Sequence, residues 1–123
     1  MSSKSKNVDI TNLTIDSPSS GDPIISSFTV YGTGDNGDFV WLYVYDNQDN
    51  LRFSSQNGTL ISNEAWSINV SIGNCTNSPH SLRAYVSDAE DSEPNPAEDT
   101  YIQINNLTIA CVGAEPPITI TIL

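Results

Sequence analysis

Short runs of Val, Ile, Thr and aromatic residues recur along the chain, each ended by a cluster of Gly, Asn, Asp, Ser or Pro. That is the pattern of β-strands separated by turns, and no stretch sustains the period of about 3.6 residues that marks an amphipathic helix. Strands are predicted near residues 8–15, 24–33, 39–46, 51–55, 65–72, 80–88, 99–106 and 117–122. Seven or eight short strands in a chain of 123 residues predict an all-β fold, an antiparallel β-sandwich with an extra strand at the C-terminus.

Alternation assigns the faces, because successive side chains of a strand point to opposite sides. In FVWLYVYD the aliphatic set is Val40, Leu42 and Val44, with Trp41, Tyr43 and Tyr45 opposite. In AWSINVSI the inward set is Trp66, Ile68, Val70 and Ile72; in HSLRAYVSD it is Leu82, Ala84 and Val86, which leaves Ser81, Arg83 and Tyr85 outside. Ile102 and Ile104 point inward from TYIQIN, with Tyr101 and Gln103 outside. Leu13, Ile15, Phe28 and Val30 complete a two-sheet core.

An internal repeat is the most specific feature. ITNLTIDSPSSGDPI at 10–24 and INNLTIACVGAEPPI at 104–118 match at 7 of 15 positions with an offset of 94, about the length of one immunoglobulin-type domain. The organisation read from it is a polar N-terminal tail at 1–8, a sandwich at 9–106, and a C-terminal extension at 107–123 that starts like a second repeat.

Residues 17–105 resemble the bacterial immunoglobulin-like repeats of large surface adhesins and phage structural proteins. The segments that carry the resemblance are, in order, SPSSGDPI, FTVYGTGDNGDFVWLYVYD, AWSINVSI, HSLRAYVSDAEDSEPNP and DTYIQI. SIGNCTNSPHSL is longer than the family's usual turn, and VGAEPPITITIL has no full domain after it. The resemblance implies a structural, adhesive or spacer role and supplies no catalytic residues.

Composition narrows the partners. Fifteen acids against four bases give a formal charge of −11, which opposes contact with phosphate backbones and with anionic membrane surfaces. Protein partners are expected instead, through self-association or docking on a capsid or surface scaffold. No apolar run is long enough to span a bilayer, and the first residues lack the apolar stretch of a secretory signal. The expected location is a virion or a cell surface. With one histidine and two cysteines, Cys75 and Cys111, a His/Cys metal site or a Ser-His-Asp or Cys-His enzyme is disfavoured; without secretion the cysteines are read as reduced thiols. His80, at the start of a strand, is read as a surface residue.

Three sets of residues are candidates for function. Trp41, Tyr43, Tyr45, Arg83, Tyr85 and Tyr101 would share one outward, solvent-side sheet face, and Tyr, Trp and Arg are the residues favoured at interface hot spots. Protein is the preferred partner of this face and a glycan the alternative. In ITITIL, Ile118, Ile120 and Ile122 alternate with Thr119, Thr121 and Leu123, a strand suited to pairing with a neighbouring sheet. Asp35, Asp38, Asp88 and Asp91 lie in acidic loops that could offer oxygen ligands to calcium. DNG and DNQDN are equally good turn sequences, so the reading is no cofactor, with calcium as the minor alternative. The residues therefore predict a non-enzymatic structural or interaction protein, a phage virion decoration or structural component first. The alternatives are a tandem repeat of a secreted adhesin and a calcium- or carbohydrate-binding module.

Overall fold

The computed structural model describes residues 10–25, 27–72 and 79–110. Among these there is no helix. Eight strands form two sheets: β1 (Pro23–Ile25), β2 (Ser27–Thr33), β3 (Phe39–Tyr45), β4 (Leu51–Ser54), β5 (Thr59–Leu60), β6 (Ala65–Ser71), β7 (Pro79–Ser87) and β8 (Ile102–Ala110). The larger sheet has the order β1-β8-β7-β3-β4, with β5 also paired to β3, and the smaller one is the pair β2-β6. All pairings are antiparallel except that of β1 with β8, which is parallel.

The core between the sheets is the aliphatic set that alternation selects. Val30, Val40, Leu42, Val44, Leu82 and Ala84 are fully buried, and Trp66, Val70, Ile72 and Val86 are nearly so. Phe28, Ile68, Ile102 and Ile104 pack against them, as do Ile10 and Ile15. The all-β sandwich follows from period-2 patterning in which one face of each strand is apolar.

Several boundaries differ from the sequence-based expectation, each for a local reason. The run at 24–33 is two strands in different sheets, β1 and β2. Ile24, Phe28 and Val30 keep the same alternation through the switch, so a period-2 reading cannot see it. Residues 8–15, so far as they are described, form no strand. The 14–17 stretch instead lies beside β2, where Thr14 N donates to Thr33 O at 3.0 Å and Asp16 N to Tyr31 O at 2.8 Å. The short strand β5 was not anticipated. The Asn63–Glu64 turn after it has φ of 57° and 62°, the paired positive values of a tight two-residue hairpin. The strand expected at 117–122, and both cysteines, lie outside the described residues.

The last strand, β8, starts at Ile102 and continues to Ala110, so the boundary read from the repeat at 106 falls inside it. Leu107 is fully buried, in the same core as Leu13. The two Asn-Leu-Thr-Ile segments that define the repeat thus each send their leucine into one common core. His80 pairs with Leu107 across β7 and β8 and is 1% exposed; the surface position expected for it is incorrect, because the inward face of β7 begins with this residue.

Candidate functional site

The aromatic residues do share one face of the larger sheet. Register places Trp41 opposite Tyr85 and Tyr43 opposite Arg83, and Arg83 opposite Gln103. Their neighbours in sequence fill the aliphatic core, so these side chains leave the sheet on its other side. The rings of Tyr43 and Tyr85 meet edge-on, with centres 5.2 Å apart and planes at 78°. Tyr85 and Tyr101 are also 5.2 Å apart, tilted by 49°. Both separations suit attraction between aromatic quadrupoles. The Arg83 guanidinium lies 4.7 Å from the centre of the Tyr45 ring and 4.6 Å from that of Tyr101. Its Nε donates to Gln103 Oε1 at 2.6 Å, which fixes the plane of the fork between two rings.

The expectation that this face is open to solvent is wrong for half of it. Trp41 is 2% exposed, Tyr43 3% and Tyr85 0%. Residues 88–99, the acidic loop that holds Asp88 and Asp91, lie over them. Trp41 Nε1 donates to Ser87 Oγ at 2.8 Å, and that hydroxyl donates to Ala89 O at 2.8 Å. Tyr43 Oη donates to Glu93 Oε2 at 3.2 Å, and Tyr85 Oη to Pro96 O at 3.3 Å. Gly58 N donates to Glu90 O at 2.9 Å, tying the strap to the β5 side of the sheet. The buried polar tip of each aromatic residue therefore finds its acceptor in this strap or at Ser87, as buried N–H and O–H groups require.

Burial also controls the phenols. Desolvation raises the Tyr43 pKa far above its ordinary value, and the carboxylate of Glu93 beside it adds to the effect. Burial raises that of Tyr85 as well, against an opposing contribution from Arg83. The part of the face that stays accessible is the Arg83 stack: Tyr45 and Arg83 are half-buried and Tyr101 is exposed. Alternation reports which side of a sheet a residue takes and is silent on what lies above it. The available signals were Ser87 in register with the strand end and the prolines of the loop, of which Pro94 is buried.

The acidic loops are organised as turns. Asp46 Oδ1 accepts from Gln48 N and Asn50 N, each at 2.9 Å, and its pKa is lowered chiefly by the Asn50 amide. In the DNGD turn, Asp35 Oδ1 accepts from Asn12 Nδ2 at 3.0 Å, Gly37 takes φ of 94°, and Ile61 N donates to Asp38 O at 2.8 Å. Asp88 and Asp91 belong to the strap. Among the described residues no group of three or more His, Cys, Asp or Glu side chains is placed to hold a metal ion.

A second surface was not foreseen. The layer formed by β2 and β6 has two long edges, and the 14–17 stretch runs beside β2 at one of them. Among the described residues β6 pairs with β2 alone, apart from the Ser62–Ala65 bridge at its start. Neither strand carries a charged residue. The outer face is a ladder of small polar groups, in which Ser27 and Ser71 hydroxyls meet at 3.0 Å and Thr29 Oγ1 donates to Asn69 Oδ1 at 2.8 Å. Ile118, Ile120 and Ile122, the remaining candidates, lie outside the described residues. No helix among the described residues is long and apolar enough to cross a membrane. Comparison with protein-family models gives no match, and comparison with curated proteins gives none either.

Proposed function

We propose that this chain is a non-enzymatic, immunoglobulin-like interaction module that self-associates within a surface assembly, in the first instance as a decoration or structural component of a phage virion. The strand order supports the immunoglobulin-like part of the reading. In this reading the β8-β7-β3-β4 run takes the places of the G, F, C and C′ strands of that fold, and β2-β6 those of its B and E strands. The observation that carries the functional part is the edge of β6 that no described residue covers, in an uncharged strand pair within a chain of charge −11. Soluble domains usually blunt such an edge, since it offers unpaired backbone groups to any second strand. The exposed Arg83 stack supplies a second contact surface, of the composition that interface hot spots favour.

The test is sedimentation velocity on the full chain over a wide concentration range, with electron microscopy of the associated fraction. Concentration-dependent association into particles of uniform shape is the expected result. A monomer at every concentration would overturn self-association. It would favour a second reading, a spacer repeat of a secreted adhesin, which draws on the 94-residue offset between the two matching segments.

A further inference from the structure

We infer that the edge of β6 left unpaired among the described residues is the acceptor for residues 118–123 of a second copy of this chain, which add to the β2-β6 pair as a third strand. The inference rests on the self-association reading above and names the two surfaces that would carry it.

Three observations converge on this pairing. The first is how the other edges are treated. The edge strand β1 is three residues long and begins with Pro23, and β4 is four residues long and carries Arg52. Short length, proline and charge all discourage pairing with a foreign strand. By contrast β6 is seven residues long and has none of these devices. It is built like a strand that normally has a neighbour on both sides.

The second is chemical complementarity. On β6, Trp66 and Val70 are buried and Ile68 is partly buried toward the core, while Ser67, Asn69 and Ser71 face solvent. ITITIL has the same two-sided pattern over its first five residues, with Ile118, Ile120 and Ile122 on one face and Thr119 and Thr121, followed by the terminal Leu123, on the other. Laid beside β6, the isoleucines extend the apolar row of Trp66, Ile68 and Val70, and the threonines extend the hydroxyl ladder. Shifting the register by one residue would place the threonines against the core, so one family of registers is selected.

The third is where the described chain ends. Ala110 pairs with Ile25, and Ser27, which follows closely in sequence, pairs with Ser71 at the end of β6. The seven residues 111–117 leave from that end of the sandwich, and at full extension they reach about 25 Å. To lie along its own β6, the chain would have to reverse direction within this span. Pro116 and Pro117 stand directly before the strand, and adjacent prolines favour an extended, stiff spacer. A stiff spacer opposes that reversal, which favours β6 of a neighbouring copy over the chain's own.

The experiment compares the full chain with full-length Ile120→Pro, which removes a backbone donor from the middle of the added strand. Association is read by light scattering, and amide hydrogen exchange is read peptide by peptide. The expected result is slow exchange at those amides of residues 66–71 that point away from β2 in the associated wild type, with this added protection lost and association weakened by roughly tenfold or more in the variant. A synthetic peptide of residues 112–123, added in excess, should dissociate the wild type while keeping the outward-pointing amides of residues 66–71 protected. Association that persists in Ile120→Pro with unchanged exchange would overturn this pairing and leave self-association standing. A monomeric wild type with the outward-pointing amides of residues 66–71 protected would show the strand docked on its own copy, which also overturns the exchange between copies. A monomer with rapid exchange there would overturn both readings.

Discussion

The indole nitrogen of Trp41 donates to the hydroxyl of Ser87 across neighbouring strands, at 2.8 Å and away from solvent. That hydroxyl has its own acceptor, Ala89 O, at the root of the strap over residues 88–99. One serine therefore satisfies a buried indole and anchors the cover above it. Ser87→Ala leaves the indole N–H buried without its acceptor and should destabilise the fold by about 1–3 kcal/mol. Urea denaturation followed by tryptophan fluorescence measures this, and an unchanged midpoint would contradict the arrangement.

Gly58 lies directly against the same indole. A Cβ at this position would stand 2.6 Å from Phe39 Cβ and 2.7 Å from Trp41 Nε1. Neither atom is the far end of a flexible side chain, so the strand or the ring must move. Gly58→Ala should cost about 1–3 kcal/mol as an overpacking change and alter the near-ultraviolet circular dichroism of the aromatic layer. A variant with wild-type stability and spectrum would show that this contact is relaxed in solution.

Leu107 decides where the sandwich ends. It is fully buried, and Leu107→Ala should cost about 2–5 kcal/mol. If the folded unit stopped at residue 106, the same substitution would leave the denaturation midpoint unchanged. It follows that a truncation meant to remove only the C-terminal segment must retain Ala110.

The covered phenols give the fold an alkaline limit. In the unfolded chain Tyr43 loses its proton near its ordinary value of 10.0, whereas in the folded chain burial and Glu93 hold the proton on. Above that pH the unfolded state binds fewer protons than the native state, so stability falls as pH rises. The contribution is complete below the ordinary phenol range. Tyr43→Phe should flatten the decline, as measured by urea midpoints across the alkaline range. Spectroscopic titration of the wild type should show a fraction of the phenolate absorbance that appears only as the protein unfolds, and that fraction should shrink in Tyr43→Phe.

Alternation was enough to identify the core. Val40, Leu42 and Val44 oppose Leu82, Ala84 and Val86 because each strand repeats one apolar side chain in two, and that period survives translation into structure. The same rule also placed Trp41, Tyr43 and Tyr85 correctly on the second face and misjudged their exposure. Cover comes from contacts distant in sequence, such as Tyr43 with Glu93, and no local pattern encodes these. The switch of sheets between β1 and β2 was hidden because Ile24, Phe28 and Val30 share one parity. The edge position of β6 among the described residues was invisible for a different reason: an edge is defined by strand order, and strand order is a property of the whole chain.

The parallel pairing of β1 with β8 has a mechanical meaning. The N-terminal end of β1 and the C-terminal end of β8 lie at opposite ends of their shared ladder, where Pro23 stands beside Thr108 and Ile25 beside Ala110. Tension that pulls these two ends apart runs along the strands and loads the rungs of the ladder together, in shear. An antiparallel pair pulled from adjacent ends would instead open one rung at a time, like a zip. A module linked to its neighbours through the chain on either side of this ladder would therefore resist stretching through its weakest-looking strand, the three residues of β1.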